Sequence, residues 1–230
     1  MHNTIRVLST KILKSNQKQF LLNAGLKVVE ANFISIEFYP VEIKNTKENL
    51  IFTSQNSVTS VLRTSEVANL QSKPVFCVGI KTKDLLEKNG FEVLEFTNYA
   101  AELVEILGSK YSERNYTFFS GNLRHETIPQ GLKDHNISFN EVEVYKTVLS
   151  PQKIQSSAEA ILFFSPSGVE SYLIKNTFED NQQYFCIGTT TSQALLDRNV
   201  SEDRIHIATV QTVENTIIQV INYYKTPKSI

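Results

Sequence analysis

Short apolar runs alternate along this chain with longer segments whose apolar residues recur three and four positions apart. Runs of four or five apolar residues predict buried strands, and the spacing between them predicts amphipathic helices. Strand and helix repeated in this order are typical of a parallel sheet with helices on both faces. The predicted strands are Ile5–Leu8, Lys27–Ala31, Leu50–Thr53, Val75–Val78, Glu92–Phe96, Tyr116–Phe119, Ile161–Phe164, Tyr184–Ile187 and Arg204–Ala208.

Two sequence blocks recur in the same order in the two halves of the chain. IFTSQNSVTSVL (51–62) aligns with LFFSPSGVESYL (162–173), and VFCVGIKTKDLLEKNGF (75–91) aligns with YFCIGTTTSQALLDRNV (184–200). The first pair is displaced by 111 positions and the second by 109. Because a nearly constant displacement of this size is a domain's length, it indicates two lobes of similar design. The matched residues include Ser54 with Ser165, Val58 with Val169, Gly79 with Gly188 and Thr82 with Thr191.

Two extended stretches without helical spacing predict a ladder that joins the lobes. They are FISIEFYPVEI (33–43) and ISFNEVEVYKTVL (137–149). If the chain leaves the first lobe through one and returns through the other, the second lobe is an insertion. We therefore predict an α/β fold of two similar lobes, each a parallel five-stranded sheet flanked by helices, joined by a two-stranded β-ladder. The predicted bounds are 1–34 with 148–230 for the first lobe, 43–139 for the second, and 35–42 with 140–147 for the ladder. The alternative is one continuous ten-stranded domain.

The composition narrows the class of protein. The chain has 230 residues, 41% of them hydrophobic, and a net charge of −1, which argues against a dedicated nucleic-acid surface. No apolar run approaches the roughly 18 residues that a membrane span needs, and the N-terminus lacks a signal-peptide pattern. We therefore expect a cytoplasmic protein, and a monomer. Cys77 and Cys186 lie in apolar runs, which favours buried free thiols, although their number also permits a disulfide.

Hydroxyl-bearing and small residues cluster in the turns that follow five of the predicted strands. Ligands bind an open parallel sheet at the carboxyl ends of its strands. A helix that starts there offers unpaired N–H donors and a partial positive charge, so these turns suit carboxylates or phosphates. For any single Ser or Thr, capping of a helix is the favoured alternative. The turns comprise residues 53–56, 79–82, 120–122, 165–168 and 188–191.

Other chemistries find little support in the sequence. SPSG differs from the G-x-S-x-G nucleophile elbow, and GNLRHE (121–126) lacks the P-loop Lys-Ser/Thr pair. Paired catalytic carboxylates do not stand out. The four histidines, His2, His125, His135 and His206, are scattered without metal-ligand spacing. No metal or cofactor is indicated.

Six motifs lie in order across nearly the whole chain: IFTSQNSV, CVGIKT, FFSGNLRHETIPQGL, VEVYKT, FFSPSGVESYL and IGTTTSQAL. Together, and in this order, they resemble the uroporphyrinogen-III synthase family. The family's architecture of two α/β lobes, one inserted in the other through a two-stranded ladder, agrees with the predicted bounds. The resemblance implies the substrate hydroxymethylbilane, a linear tetrapyrrole with eight carboxylates. It is closed with inversion of ring D and loss of water, a hydro-lyase reaction of heme biosynthesis. The preceding enzyme of that pathway is an implied transient partner.

The resemblance also implies the site residues. Tyr145, at the family's tyrosine position, is the one side chain implied to take part in the chemistry, by donating a proton or hydrogen bond to the departing hydroxyl. A packed tyrosine of the ladder is the alternative role. The implied substrate-binding residues are Thr53, Ser54, Thr82, Ser120, Gly121, Asn122, Arg124, Ser165, Ser167, Gly168, Thr189, Thr190 and Thr191. The rival function is a two-lobed binding protein or sensor for an anionic metabolite, without turnover.

Overall fold

A computed structural model describes residues 5–38 and 40–225 and confirms the α/β class. The chain divides into two compact units, Met1–Ser35 with Val148–Ile230 and Ile36–Thr147. Residues 1–4, 39 and 226–230 of the predicted lobes and ladder lie outside the described residues. We call the first of these bodies unit 1 and the second unit 2.

Strands and helices alternate through most of the described chain, as the apolar periodicity predicts. The strands are β1 (Arg6–Ser9), β2 (Lys27–Glu30), β3 (Ile34–Phe38), β4 (Asn49–Phe52), β5 (Val75–Val78), β6 (Val93–Thr97), β7 (Tyr116–Gly121), β8 (Phe139–Leu149), β9 (Ala160–Phe163), β10 (Gln183–Cys186) and β11 (Ile205–Ile207). The helices are α1 (Ser15–Asn23), α2 (Gln55–Val61), α3 (Val67–Gln71), α4 (Ile80–Lys88), α5 (Ala100–Lys110), α6 (Thr127–Asp134), α7 (Pro166–Leu173), α8 (Thr189–Leu196) and α9 (Val213–Lys225), with a 3₁₀ turn at Glu202–Arg204.

Unit 1 contains a five-stranded parallel sheet in the order β11-β10-β9-β1-β2. The central strand β9 has the sequence AILF, and all four residues are buried. Ile161 and Phe163 belong to the core on one face, whereas Ala160 and Leu162 belong to the core on the other. A strand covered by helices on both faces has no polar side, which is why its apolar run is continuous.

Unit 2 contains a six-stranded sheet in the order β3-β8-β7-β4-β5-β6, in which β8, β7, β4, β5 and β6 run parallel. The strand β8 is eleven residues long. It pairs with β7 from Phe139 to Tyr145 and also neighbours β3. The predicted ladder is therefore continuous with the sheet of unit 2, rather than a separate ribbon. Residues 40–43 form no strand, since Pro40 lacks the N–H that would extend β3.

The internal repeat of the sequence corresponds to equivalent local structures. Ser54 is the N-cap of α2 and Ser165 the N-cap of α7. Gly79 and Gly188 directly precede α4 and α8 in the same way. Both units thus place a capped helix and a glycine-led helix at the carboxyl ends of adjacent strands.

The two cysteines are free and buried, as expected from their apolar surroundings. Burial raises the pKa of each thiol to about 12. Within the described ranges, no helix has the length and apolar character to cross a membrane.

Candidate active site

The turn after β4 is organised by Ser54, whose side chain caps α2. Its Oγ accepts a hydrogen bond from the N–H of Asn56 at 3.1 Å, and the Ser57 hydroxyl donates to the Ser54 carbonyl at 2.7 Å. Thr53 precedes the cap and is half-buried. The Ser54 hydroxyl is therefore engaged in capping, which is the alternative that the sequence left open. A role of Thr53 and Ser54 toward a ligand stays a prediction.

The turn after β5 presents backbone groups more than side chains. Gly79 has a φ of +88°, a left-handed conformation that glycine adopts without strain. The chain then enters α4 at Ile80, so the first N–H groups of this helix lie at the carboxyl edge of the sheet. Thr82, in the first turn of the helix, is buried. This turn offers amide donors, while its threonine side chain is buried.

Tyr145 lies on β8 directly beside Gly121 of β7, with which it pairs. A Cβ placed on Gly121 would lie 2.7 and 2.8 Å from Cε2 and Cε1 of Tyr145, so only glycine allows the ring to lie there. The half-buried ring also packs against the core cluster that contains Phe119 and Val144. Tyr145 is thus held by packing at the carboxyl end of β7, among the predicted residues of the GNLRHE turn.

Asn122 uses its side chain to extend the pairing of β7 with β8. Its Oδ1 accepts the N–H of Thr147 at 2.8 Å, and its Nδ2 donates to the Thr147 carbonyl at 3.2 Å. The side chain thereby replaces a peptide group at the point where β7 has ended. These two bonds give the Asn122 side chain a structural role that needs no ligand.

Arg124 is paired with two carboxylates of the protein itself. Its guanidinium donates to Glu141 at 2.6 and 3.0 Å and also to Glu126. Burial alone would raise the pKa of Glu141, but hydrogen bonds with Arg124 and Ser120 and the charge of Arg124 outweigh it, so this pKa is lowered. Hydrogen bonds with Glu141 and Glu126 raise the pKa of the guanidinium.

The predicted place of this segment at a helix start is wrong. Ser120 and Gly121 are buried residues of β7, and α6 begins only at Thr127. The strand extends past the predicted end because β8 continues to pair with it. Asn122 and Arg124 therefore do not lie at a helix N-terminus, and they add no helix N–H donors to the site.

In unit 1, the turn after β9 repeats the capped arrangement. The Ser165 Oγ accepts the N–H of Gly168 at 3.1 Å and lies 3.0 Å from the Ser167 Oγ. Pro166 is the first residue of α7, where a missing N–H costs nothing. Gly168 is buried in the first helical turn.

The turn after β10 exposes two hydroxyls. Thr189 and Thr190 are the first two residues of α8, and both are exposed. Thr191 is buried, as is its counterpart Thr82 in unit 2. Because the first N–H groups of a helix have no intrahelical partner, this turn combines open donors with accessible hydroxyls.

Sequence reasoning missed a further turn of unit 1, the one after β1. The Thr10 hydroxyl donates to the Leu162 carbonyl at 2.7 Å and lies 3.7 Å from where a Cβ of Gly168 would be. Lys11 is exposed, and its ammonium lies 5.7 Å from the centre of the Phe164 ring. The signal was present in the sequence, since RVLSTK has the same apolar run followed by hydroxyls as the other turns.

Sequence reasoning also missed the exposed apolar side chains that follow three of the strands. Ile80 and Leu123 follow β5 and β7 in unit 2 and are 48% and 52% exposed. Ile12 follows β1 in unit 1 and is 60% exposed. Exposed apolar side chains in such turns suit contact with the flat apolar faces of a ligand. In the part of the chain that the structure describes, no three His, Cys, Asp or Glu residues are placed to hold a metal ion.

The comparisons with known proteins agree with this fold. The family described as uroporphyrinogen-III synthase HemD matches residues 16–217. A protein of Chlorobaculum parvum named uroporphyrinogen-III synthase is 26% identical over 199 residues, which cover 75% of this chain and 81% of that protein.

Two solved structures share the architecture. The Helicobacter pylori uroporphyrinogen-III synthetase superposes with a TM-score of 0.72 at 18% identity, covering 96% of this chain and all of that one. A mutant uroporphyrinogen III synthase of Thermus thermophilus superposes with a TM-score of 0.68 at 11% identity, covering 96% and 98%. At these identities the superpositions show the fold alone, and the match to residues 16–217 shows the family. The chain belongs to the uroporphyrinogen-III synthase family.

Proposed function

We propose that this chain closes hydroxymethylbilane to uroporphyrinogen III, with inversion of ring D and release of one water. The observation that carries the proposal is the family match across residues 16–217. The enzyme would thus be a hydro-lyase of heme biosynthesis, acting on a small tetrapyrrole.

The turns at the carboxyl ends of the strands bind the substrate's carboxylates in this proposal. The first N–H groups of α4 and α8 and the N–H of Ser167 in α7 are the donors, and the exposed Thr189 and Thr190 hydroxyls add to them. A hydrogen bond to a charged group contributes about 1.5–3 kcal/mol, so a few such contacts suffice to hold one acid arm. Backbone donors explain how a chain of net charge −1 can bind a substrate with many negative charges.

Tyr145 has the one proposed chemical role. Its phenol donates a hydrogen bond to the hydroxyl of the bilane's terminal hydroxymethyl group, so that the C–O bond breaks and water leaves. The methylene carbon that remains is electrophilic, and the substituted carbon of ring D bonds to it to give a spiro intermediate. The older bond from that carbon to the bridge of ring C then breaks, and the freed bridge carbon bonds to the unsubstituted α-carbon of ring D. That carbon loses a proton, which balances the hydroxide that left as water. The ring packing against Gly121 supports this role because it holds the phenol in one place.

Placement of ring D is the main task of the protein. Hydroxymethylbilane closes without an enzyme, but to the wrong isomer, so intrinsic reactivity is not what the protein must provide. A bound conformation that brings the substituted carbon of ring D to the methylene carbon makes the correct closure effectively unimolecular. Oriented amides beside the developing charge assist further.

The test is an isomer assay with bilane generated in situ. The product is oxidised and the porphyrin isomers are separated, with a blank that lacks this protein. We expect isomer III in excess over the blank. Isomer I alone, together with tight binding of the bilane, would assign the protein to the rival class of non-catalytic binding proteins.

We also propose that the protein works as a monomer in the cytoplasm and receives the unstable bilane from the preceding enzyme. The two buried free thiols support a reducing compartment. Sedimentation of the purified protein, alone and with that enzyme, tests the assembly.

A further inference from the structure

A pocket of about 560 Å³ lies within unit 2, outside the turns described above. Its volume is in the range of pockets that bind small molecules. Part of its wall is apolar and comes from the chain at and after the end of β3. The other wall is the segment that follows α2. The lining residues are Phe38, Pro40, Val41, Glu42, Arg63, Thr64, Ser65 and Glu66.

Arg63 is the basic group of this pocket. Its guanidinium lies 4.0 Å from the centre of the Phe38 ring, a stacking distance. Within residues 5–38 and 40–225, this guanidinium makes no hydrogen bond or ion pair. The contrast is Arg124 of the same unit, whose guanidinium is bound by Glu141 and Glu126. Arg63 is therefore oriented by a ring and has its donors available.

The other polar side chains of the pocket are two carboxylates and two hydroxyls. Glu42 pairs with the exposed Lys44 at 2.6 Å, and Glu66 accepts the Ser65 hydroxyl at 2.8 Å. The Thr64 hydroxyl donates to the Val61 carbonyl and is satisfied. The guanidinium, the two carboxylates and the flat apolar wall match a pyrrole ring, which carries both an N–H donor and acid arms.

The pocket adjoins the strand that carries Tyr145. The Ser60 hydroxyl, three residues before Arg63, donates to the carbonyl of Val144. On the other side, β3 neighbours β8 and ends at Phe38. The helix that leads to one wall is thus bonded to β8 at the residue before Tyr145, and the other wall continues from the strand beside β8.

We propose that this Arg63 pocket receives one pyrrole ring of the tetrapyrrole substrate. Arg63 pairs with a carboxylate of the ring's acid side chains, the ring face lies against the apolar wall, and Glu42 or Glu66 accepts the pyrrole N–H. Arg63 thereby adds a charged contact to a site otherwise built from backbone donors. The inference rests on the proposed function and names a substrate-positioning residue that the sequence did not suggest.

The test compares Arg63→Gln with the wild type in two measurements. The first is KM and kcat with bilane generated in situ, and the second is the Kd of uroporphyrin III, an unreactive octacarboxylate followed by its fluorescence. Loss of one charge-assisted pair should raise both KM and Kd about tenfold while kcat changes less than about twofold. Arg63→Lys should fall between, since an ammonium keeps the charge without the planar fork.

Arg114→Gln is the matched control. Arg114 also lies over an aromatic ring of unit 2, at 5.1 Å from the centre of Tyr111, but its guanidinium donates to Asn49. Its KM and Kd should equal those of the wild type. Urea unfolding confirms that each variant folds, and Phe38→Leu, which removes the ring, replaces Arg63→Gln if that variant does not.

The two proposals fail in different ways. Unchanged KM and Kd in folded Arg63→Gln overturn the pocket, whereas isomer III from the wild type would still support the function. Isomer I alone from the wild type overturns the function, and the uroporphyrin Kd then still reports on the pocket.

Discussion

At the scale of single residues, close contacts decide which polar side chains are bound within the protein and which can reach a ligand. The Tyr145 ring occupies the space that any side chain at position 121 would need. Asn122 and Arg124 are bound by Thr147 and Glu141, although their types would suit ligand binding equally well. The bonds of these two side chains hold the GNLRHE turn, and Tyr145 beside it is the residue proposed to take part in the chemistry.

Tyr145→Phe tests the proposed role of the phenol. The ring and its packing against Gly121 are retained, so the change removes only the hydroxyl. If placement dominates catalysis, kcat should fall about three- to tenfold, below the 10²–10⁴ range of general acid catalysis. Single-turnover kinetics with isomer separation is the measurement. A complete loss of turnover with the fold intact would instead make Tyr145 a true acid catalyst.

Gly121→Ala is the companion control, since it displaces the ring and keeps the hydroxyl. Overpacking of this kind should lower the free energy of unfolding by about 1–3 kcal/mol. In a Tyr145→Ala background the same change should cost little, because the clash is gone.

At the scale of elements, the side chains and the backbone groups at the helix starts have different roles. Ser54 and Ser165 cap their helices, and Thr82 and Thr191 are buried, so most predicted hydroxyls serve the scaffold. Each of the two serine caps uses one helix N–H, and the first N–H groups of α4 and α8 remain as donors. The segment between β7 and α6 is different, because side-chain bonds to β8 hold it.

The Arg124–Glu141 pair predicts how acid affects that segment. The folded-state pKa of Glu141 is lowered, so its stabilising contribution is present above the ordinary value of 4.5 and is lost as the pH falls below it. Glu141→Gln should therefore cost about 1 kcal/mol of unfolding free energy near pH 7 and almost nothing near pH 3. Urea unfolding at both pH values measures the difference. An equal cost at both would mean that the charge of Glu141 does not stabilise the fold.

At the scale of the whole molecule, each unit has its own sheet and its own cores on the two faces. The nearly constant displacement of the two repeated blocks in the sequence already indicated this duplication. Each unit also contains one buried free cysteine, Cys77 in unit 2 and Cys186 in unit 1.

The two buried thiols allow the unfolding of each unit to be followed separately. With the pKa of each thiol raised to about 12, only about one in 10⁴ is ionised at pH 8, and burial slows access further. Iodoacetamide should label neither cysteine appreciably in native buffer and both rapidly in urea. Mass spectrometry of the Cys77 and Cys186 peptides across a urea titration then gives a separate transition for each unit. Rapid labelling of either one in native buffer would contradict the burial.

The sequence by itself determined the α/β class, most strand positions, the duplication and the family. These features follow from local periodicity, from capping residues and from motif order, all of which can be read along the chain. The tertiary structure alone decided that Tyr145 meets Gly121, that Glu141 binds Arg124 and that Phe38 stacks on Arg63. Those pairs are brought together by strand register and by the path of α2 across the sheet. Register depends on the packing of whole elements, which no short stretch of sequence contains.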